Sequence, residues 1–229
     1  MKKVYGTVGL SVGGSLGLSL IVGKLFETGV IENPLYCLGI GICSMIGGAV
    51  GVCYIEPTYE KKELETVAVN SNMRKLSYWS IVMGTGMTLA PLMSIYMVQC
   101  PTIILTSIIT SSFVFGSCAY LSTRMKDVTM MKWKGPLSVG MIGLLVTQIT
   151  NLGLLLFMGP NEISNILSSI DVYGGIGLFT ALSVYDSYVA RKMYEEGEPD
   201  HLICTTQLFL DFMNLFIRMM EAMARFVKD

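Results

Sequence analysis

Two aspartates, each set in an apolar run, are where this 229-residue sequence concentrates its chemistry. Asp186 lies in VYDSY, about one turn before Arg191 and Lys192, and Asp211 lies in LFLDF, near the middle of the run 204–226. Along that run, alternating steps of four and three residues place Gln207, Asp211, Asn214, Arg218, Glu221 and Arg225 on one stripe of a helix. Leu208, Phe209, Phe212, Met213, Phe216, Ile217 and Met220 fall on the rest, so the helix is apolar around most of its girth. A charge at the centre of a spanning helix costs ~2.5–3.5 kcal/mol, and such residues face a bundle interior or a water-filled path. At ~1.5 Å per residue, Asp186 and Asp211 sit roughly 7 and 15 Å from the same membrane boundary, within a turn or so of meeting. Two carboxyls brought together in a poorly hydrated site share a proton and titrate as a unit, which makes a proton-controlled latch or a transient cation site. Taken singly, Asp186 serves equally well as a snorkelling or capping residue beside Arg191. Gln207 and Asn214 read as interhelical hydrogen-bond partners, and Arg218 as the nearest cation on the stripe. Arg74 is either an ion-pair partner for the aspartates or a flanking charge that sets topology.

The elements that must position these residues are spanning helices. Hydrophobic residues make up 52% of the chain and charged ones 14%, with mean hydropathy +0.58, the profile of an all-α polytopic membrane protein. Seven apolar runs are predicted as spans, at about 4–23, 35–55, 76–98, 102–121, 135–158, 167–190 and 202–220, in a single transmembrane domain 1–229. Each approaches the ~20 residues needed to cross a bilayer. The first run follows Met1-Lys2-Lys3, so a cleaved secretory signal is the alternative. Gly9, Gly13 and Gly17, recurring every fourth residue, favour a packed spanning helix, and Gly47 with Gly51 repeats that spacing in the second run. GTGMTLAP (84–91) predicts a kink or unwound turn in the third. A short link carrying Glu27, Glu32 and Pro34 precedes the second run. Residues 56–75, with Glu56, Glu60, Lys61, Lys62, Glu63, Glu65, Arg74 and Lys75, read as a solvated loop, and 124–134 as a basic loop with Trp133 as interfacial anchor. MYEEGEPDH is an acidic link between the last two spans.

Twelve Lys and Arg fall on one side of the membrane and one on the other, which places the N-terminus in the cytoplasm. Arg218, Arg225 and Lys228 break that rule if the last helix spans and obey it if the helix is re-entrant. A net charge of −1 gives no case for nucleic acid, and the partner that composition demands is the lipid bilayer. Six cysteines without CxxC spacing and one histidine argue against a disulfide framework or a zinc site.

VYDSYVARKMYEEGEPDHLICTTQLFLDFMNLFIRMM (184–220) joins a hydrophobic-aromatic-Asp segment, an acidic link containing Gly197-x-x-Asp200, and a Leu-Phe-Leu-Asp-Phe centre. Weaker agreement runs through KKVY (2–5), RKL with TGMTLAP (74–76 and 85–91) and CPTIILTSIITSSFVF (100–115). On these residues the chain resembles the Bax inhibitor-1 family, the transmembrane Bax inhibitor motif proteins. The resemblance implies seven helices with the last enclosed by the other six, a pH-sensitive calcium leak across an intracellular membrane, usually the endoplasmic reticulum, and suppression of cell death. It also implies that Asp186 and Asp211 form a di-aspartyl sensor, with calcium as permeant ion and no cofactor, and that Bcl-2-type or other membrane proteins are partners. Arg74 approximately matches a basic residue that locks the pair in some relatives. The family's lysine-rich tail has no counterpart after Arg225.

Three rival readings remain. A calcium–proton exchanger needs the same carboxylates, and a non-conducting regulator needs only binding surfaces. An intramembrane aspartyl protease would pair Tyr185-Asp186 with a second aspartate to activate water. Leu208-Phe209-Leu210 stands where that enzyme pattern has Gly-x-Gly, and no Pro-Ala-Leu follows.

Overall fold

Backbone amides in hydrocarbon must be satisfied within their own segment, so apolar runs of this length fold as helices. The computed structural model describes residues 1–31, 33–62, 65–197 and 200–228. Its helices are α1 (Lys2–Glu27), α2 (Pro34–Tyr54), α3 (Asn72–Gln99), α4 (Pro101–Ser122), α5 (Asp127–Met158), α6 (Glu162–Glu195) and α7 (His201–Lys228). Among the described residues, seven helices are long and apolar enough to cross a membrane. Large apolar side chains such as Leu10, Ile40, Phe113, Val139 and Phe157 stand on the outer surface, as lipid-facing residues must. Two-thirds of the most apolar stretch of α7 is buried, against none of α5.

Four expectations are corrected. Residues 56–75 are not all loop: β1 (Thr58–Lys62) and β2 (Glu65–Val69) pair antiparallel, Thr58 opposite Val69. The β-branched content of ETVAV supports a strand there. Most of 124–134 belongs to α5, which starts at Asp127, an acid well placed in a first turn. α3 runs through 84–91 as one helix with Pro91 inside it, so no turn is unwound there. The glycines there are contact points: a Cβ on Gly84 would lie 2.6 Å from the Gly41 carbonyl oxygen, and one on Gly86 2.7 Å from that of Ser15. In α1 the predicted glycine seam faces no neighbour. Ser11, Ser15 and Ser19, offset by two residues and so nearly opposite, form the buried face instead. Glu32, Glu63 and the Glu198-Pro199 part of the acidic link lie outside the described residues.

The chain divides into two compact units. Unit 1 comprises Met1–Ile104 and Val189–Phe209. In it α2 and α3 meet where glycines let backbones approach, Gly41 on Thr88 and Gly48 and Gly51 on Ser77, so Gly51 fulfils the predicted contact and Gly47 does not. Unit 2 comprises Leu105–Tyr188 and Leu210–Asp229, and holds α5 with most of α4, α6 and α7.

Candidate functional site

Within unit 2 three polar rungs join α6 to α7. The Asp186 and Asp211 side chains are hydrogen-bonded to each other. Arg218 forms an ion pair with Asp171. Arg225 donates to the hydroxyls of Ser168 at 2.6 Å and Ser169 at 2.7 Å. Numbers fall along α6 as they rise along α7, so the helices run antiparallel and the α7 stripe faces α6. The part of α7 that carries the first rung is rich in buried apolar side chains. Phe212 packs edge-on against Phe115 of α4, with ring centroids 5.5 Å apart, and Leu215 and Phe216 are fully buried. Cys118, also on α4, donates its thiol to the Thr180 carbonyl at 3.5 Å. Asp211 is 6% exposed, while Asp186 is half-buried. One oxygen of Asp211, Oδ2, is buried without a hydrogen-bond partner among the described residues. A hydrogen bond between two carboxyl groups requires a proton on one of them. Two carboxyls in that contact can share a proton, and Asp211 keeps an acceptor oxygen to spare.

The supporting candidates divide. Asn214, half-buried, donates to the Leu210 carbonyl at 2.9 Å within its own helix. Gln207 is exposed and lies in the part of α7 that belongs to unit 1. Arg74 is neither a surface charge nor, in unit 1, without a partner. It is 1% exposed and forms an ion pair with Asp200, donating from Nη1 to Oδ1 at 3.0 Å and from Nη2 to Oδ2. Its Nε donates to the Val52 carbonyl at 3.2 Å, and Nη1 also reaches Asn70 Oδ1. Asp200 in turn caps α7, accepting from the Ile203 amide at 3.2 Å. Among the described residues no group of three or more His, Cys, Asp or Glu is placed to hold a metal ion.

The family described as inhibitor of apoptosis-promoting Bax1 matches residues 1–227. The chain belongs to that family. Similar proteins include an uncharacterised protein of Rickettsia prowazekii, 27% identical, with 96% of this chain and 87% of the relative covered. An uncharacterised protein of Borreliella burgdorferi is 23% identical, covering 91% and 87%, and an uncharacterised membrane protein of Streptococcus pyogenes is 22% identical, covering 97% and 91%. No solved structure matches the chain. With seven spanning helices and a membrane-protein relative, this Bax inhibitor family member is a multi-pass integral membrane protein.

Two residues of the family member's polar framework escaped sequence reading. Asp171 lies in the sixth predicted span and carries the same signal as Asp186, an acid inside an apolar helix. Asp200 stands at the start of α7, where an N-cap is expected, and hides among link acids that look solvated.

Proposed function

We propose that this protein is a proton-controlled calcium leak across the membrane it spans, gated at Asp186 and Asp211. The observation that carries the proposal is the hydrogen bond between these carboxyls, with Asp211 buried and its Oδ2 unpartnered. While they share a proton, the pair carries one negative charge and holds α6 against α7. Loss of that proton leaves two carboxylates that repel one another and together offer oxygen ligands suited to a hard divalent cation. Calcium is then admitted to the seam, and re-protonation expels it. Asn214, one turn along, offers a neutral polar group beyond the pair. The N-terminus is assigned to the cytoplasm from the distribution of Lys and Arg.

The named relatives are bacterial, and such cells have no endoplasmic reticulum. The ion path is therefore the common core of the proposal. A place in the endoplasmic reticulum, suppression of cell death and Bcl-2-type partners are its form in a cell that has them. No catalysis is assigned. An obligatory calcium–proton exchanger is the second reading, favoured by the same shared proton.

The test is calcium flux into liposomes holding the purified protein, from about pH 6 to about pH 8. Flux should rise with pH, and Asp211→Ala should abolish that rise. Flux with an unchanged pH profile in the variant overturns the gate, and flux strictly coupled to counter-moving protons selects the exchanger.

A further inference from the structure

The carboxyl pair occupies one end of the α7 stripe in unit 2, and Arg218, Glu221 and Arg225 follow it toward the other. Arg218 follows Asp211 by seven residues, two helical turns or ~10 Å further along the same face. It is 5% exposed and crosses the groove to α6, where its Nη1 meets Asp171 Oδ2. Gln148 of α5 donates to the other oxygen of Asp171 at 3.1 Å, so the acceptor is itself held in place. The arginine stem passes over Gly175: a Cβ there would fall 2.7 Å from Arg218 Nε and 2.9 Å from Cδ. Glycine at that position leaves room for the guanidinium to lie across the seam rather than along it. No other described glycine of α6 has a side chain this close.

From this juxtaposition we propose that Arg218, held across the α6–α7 seam by Asp171 and admitted by Gly175, is a second closure of the calcium path. It acts as a fixed barrier, a paired guanidinium lying across the seam, in series with the carboxyl pair. The inference rests on the calcium-leak reading and assigns to a different rung a different task. The carboxyl pair decides when an ion enters, and the arginine sets how fast it leaves. A cation stepping beyond Asn214 meets a guanidinium in a weakly hydrated groove. Asp171 and, one turn further along the stripe, Glu221 offset that charge at a distance, so the side chain obstructs the seam chiefly by lying across it.

The experiment compares calcium release from liposomes holding wild type, Arg218→Gln, Arg218→Lys and Gly175→Ala, at the two ends of the pH range above. Arg218→Gln should raise the leak several-fold at both, with the ratio between them preserved. Arg218→Lys, which keeps the charge, should stay within about twofold of wild type, and Gly175→Ala, which pushes the guanidinium aside, should fall between. Because Arg218→Gln strands Asp171 in a buried place, Asp171→Asn with Arg218→Gln serves as the variant that keeps the rung neutral, and it should leak as the single variant does. An unchanged leak in both, with the pH response intact, overturns the barrier and leaves the carboxyl gate standing. An enhanced leak accompanied by loss of a trapped neutral dye also overturns it, since that is damage to the bundle. If Asp211→Asn leaves the pH response untouched while Arg218→Gln still raises flux, the gate fails and the barrier holds. No calcium flux from any of these proteins removes both.

Discussion

The two units solve the problem of polar groups in a membrane in opposite ways. In unit 1, Arg74 and Asp200 join base to acid, and the guanidinium has two further acceptors in Asn70 and the Val52 carbonyl. In unit 2, Asp186 and Asp211 join acid to acid, and Asp211 keeps an orphan oxygen. The contrast extends beyond these pairs. Glycines of unit 1 put backbone on backbone, as Gly48 does on the Ser77 carbonyl, whereas Gly140 and Gly175 of unit 2 meet only side chains. Buried side-chain oxygens without a partner among the described residues are found at Ser111, Ser187 and Asp211 in unit 2, and at Ser15 in unit 1. A satisfied, close-packed region has one arrangement and resists change. A region with spare acceptors retains hydrogen-bonding capacity that a proton, a water or a cation can take up. Burial alone therefore does not tell the two pairs apart, because Arg74, Asp200 and Asp211 are all buried.

Breaking the satisfied pair should have the largest effect. Arg74→Met leaves Asp200 buried beside a carbonyl and an amide oxygen, and removal of one partner of a buried pair costs ~3–5 kcal/mol. Thermal unfolding in detergent should show the loss, and adding Asp200→Leu should recover much of it, since an apolar pair of similar volume strands no charge. Recovery will be incomplete because the α7 cap at Ile203 goes with Asp200. If Arg74→Met unfolds at the wild-type temperature, the pair is a surface decoration and the contrast between the units collapses.

Close packing gives the next, smaller effect. A Cβ at Gly48 would stand 2.5 Å from the Ser77 carbonyl oxygen, a backbone atom that cannot step aside, so Gly48→Ala should cost ~1–3 kcal/mol. Gly13→Ala, on the face of α1 where nothing lies within 4 Å, should be neutral or slightly stabilising through helix propensity. Equal losses at both positions would mean that α1 packs through its glycines after all.

That pair of glycines also shows what the sequence makes legible. Seven spans and the two aspartates can be read directly, because hydropathy over ~20 residues and an acid within such a run are strong local signals. Which face of α1 is buried cannot be read, since serine and glycine seams share a four-residue spacing and only the partner helix chooses between them. The continuous path of α3 through Gly84, Gly86 and Pro91 is a tertiary outcome: helix propensity points to a break, and packing against Gly41 and Ser15 prevails. Arg74 is the instructive case of its kind. Its position beside a predicted boundary fits a topology signal, and its burial depends on Asp200, 126 residues away. Gln207 errs the other way, because sharing a stripe with Asp211 does not make it share the environment. It is exposed, in the part of α7 that belongs to unit 1.

Replacing the acid of the unsatisfied pair should have the smallest effect on stability. Asp211→Asn keeps the size of the side chain, supplies its own donor to Asp186 without a proton from solvent, and removes a carboxyl that already lacked one partner. The loss should stay within ~1 kcal/mol, whereas Asp200→Asn, which unpairs Arg74, should approach the cost of Arg74→Met. Thermal unfolding of the two Asp→Asn variants side by side at one pH is the measurement, with calcium flux as the second readout. The comparison between the units requires the two readouts to dissociate: Asp211→Asn folds like wild type and loses its pH response, while Asp200→Asn is destabilised and, where it remains folded, responds to pH as wild type does. Should Asp211→Asn instead unfold as early as Asp200→Asn, the acid pair is a structural tie, and α6 and α7 are held together there as firmly as unit 1 is held by its arginine.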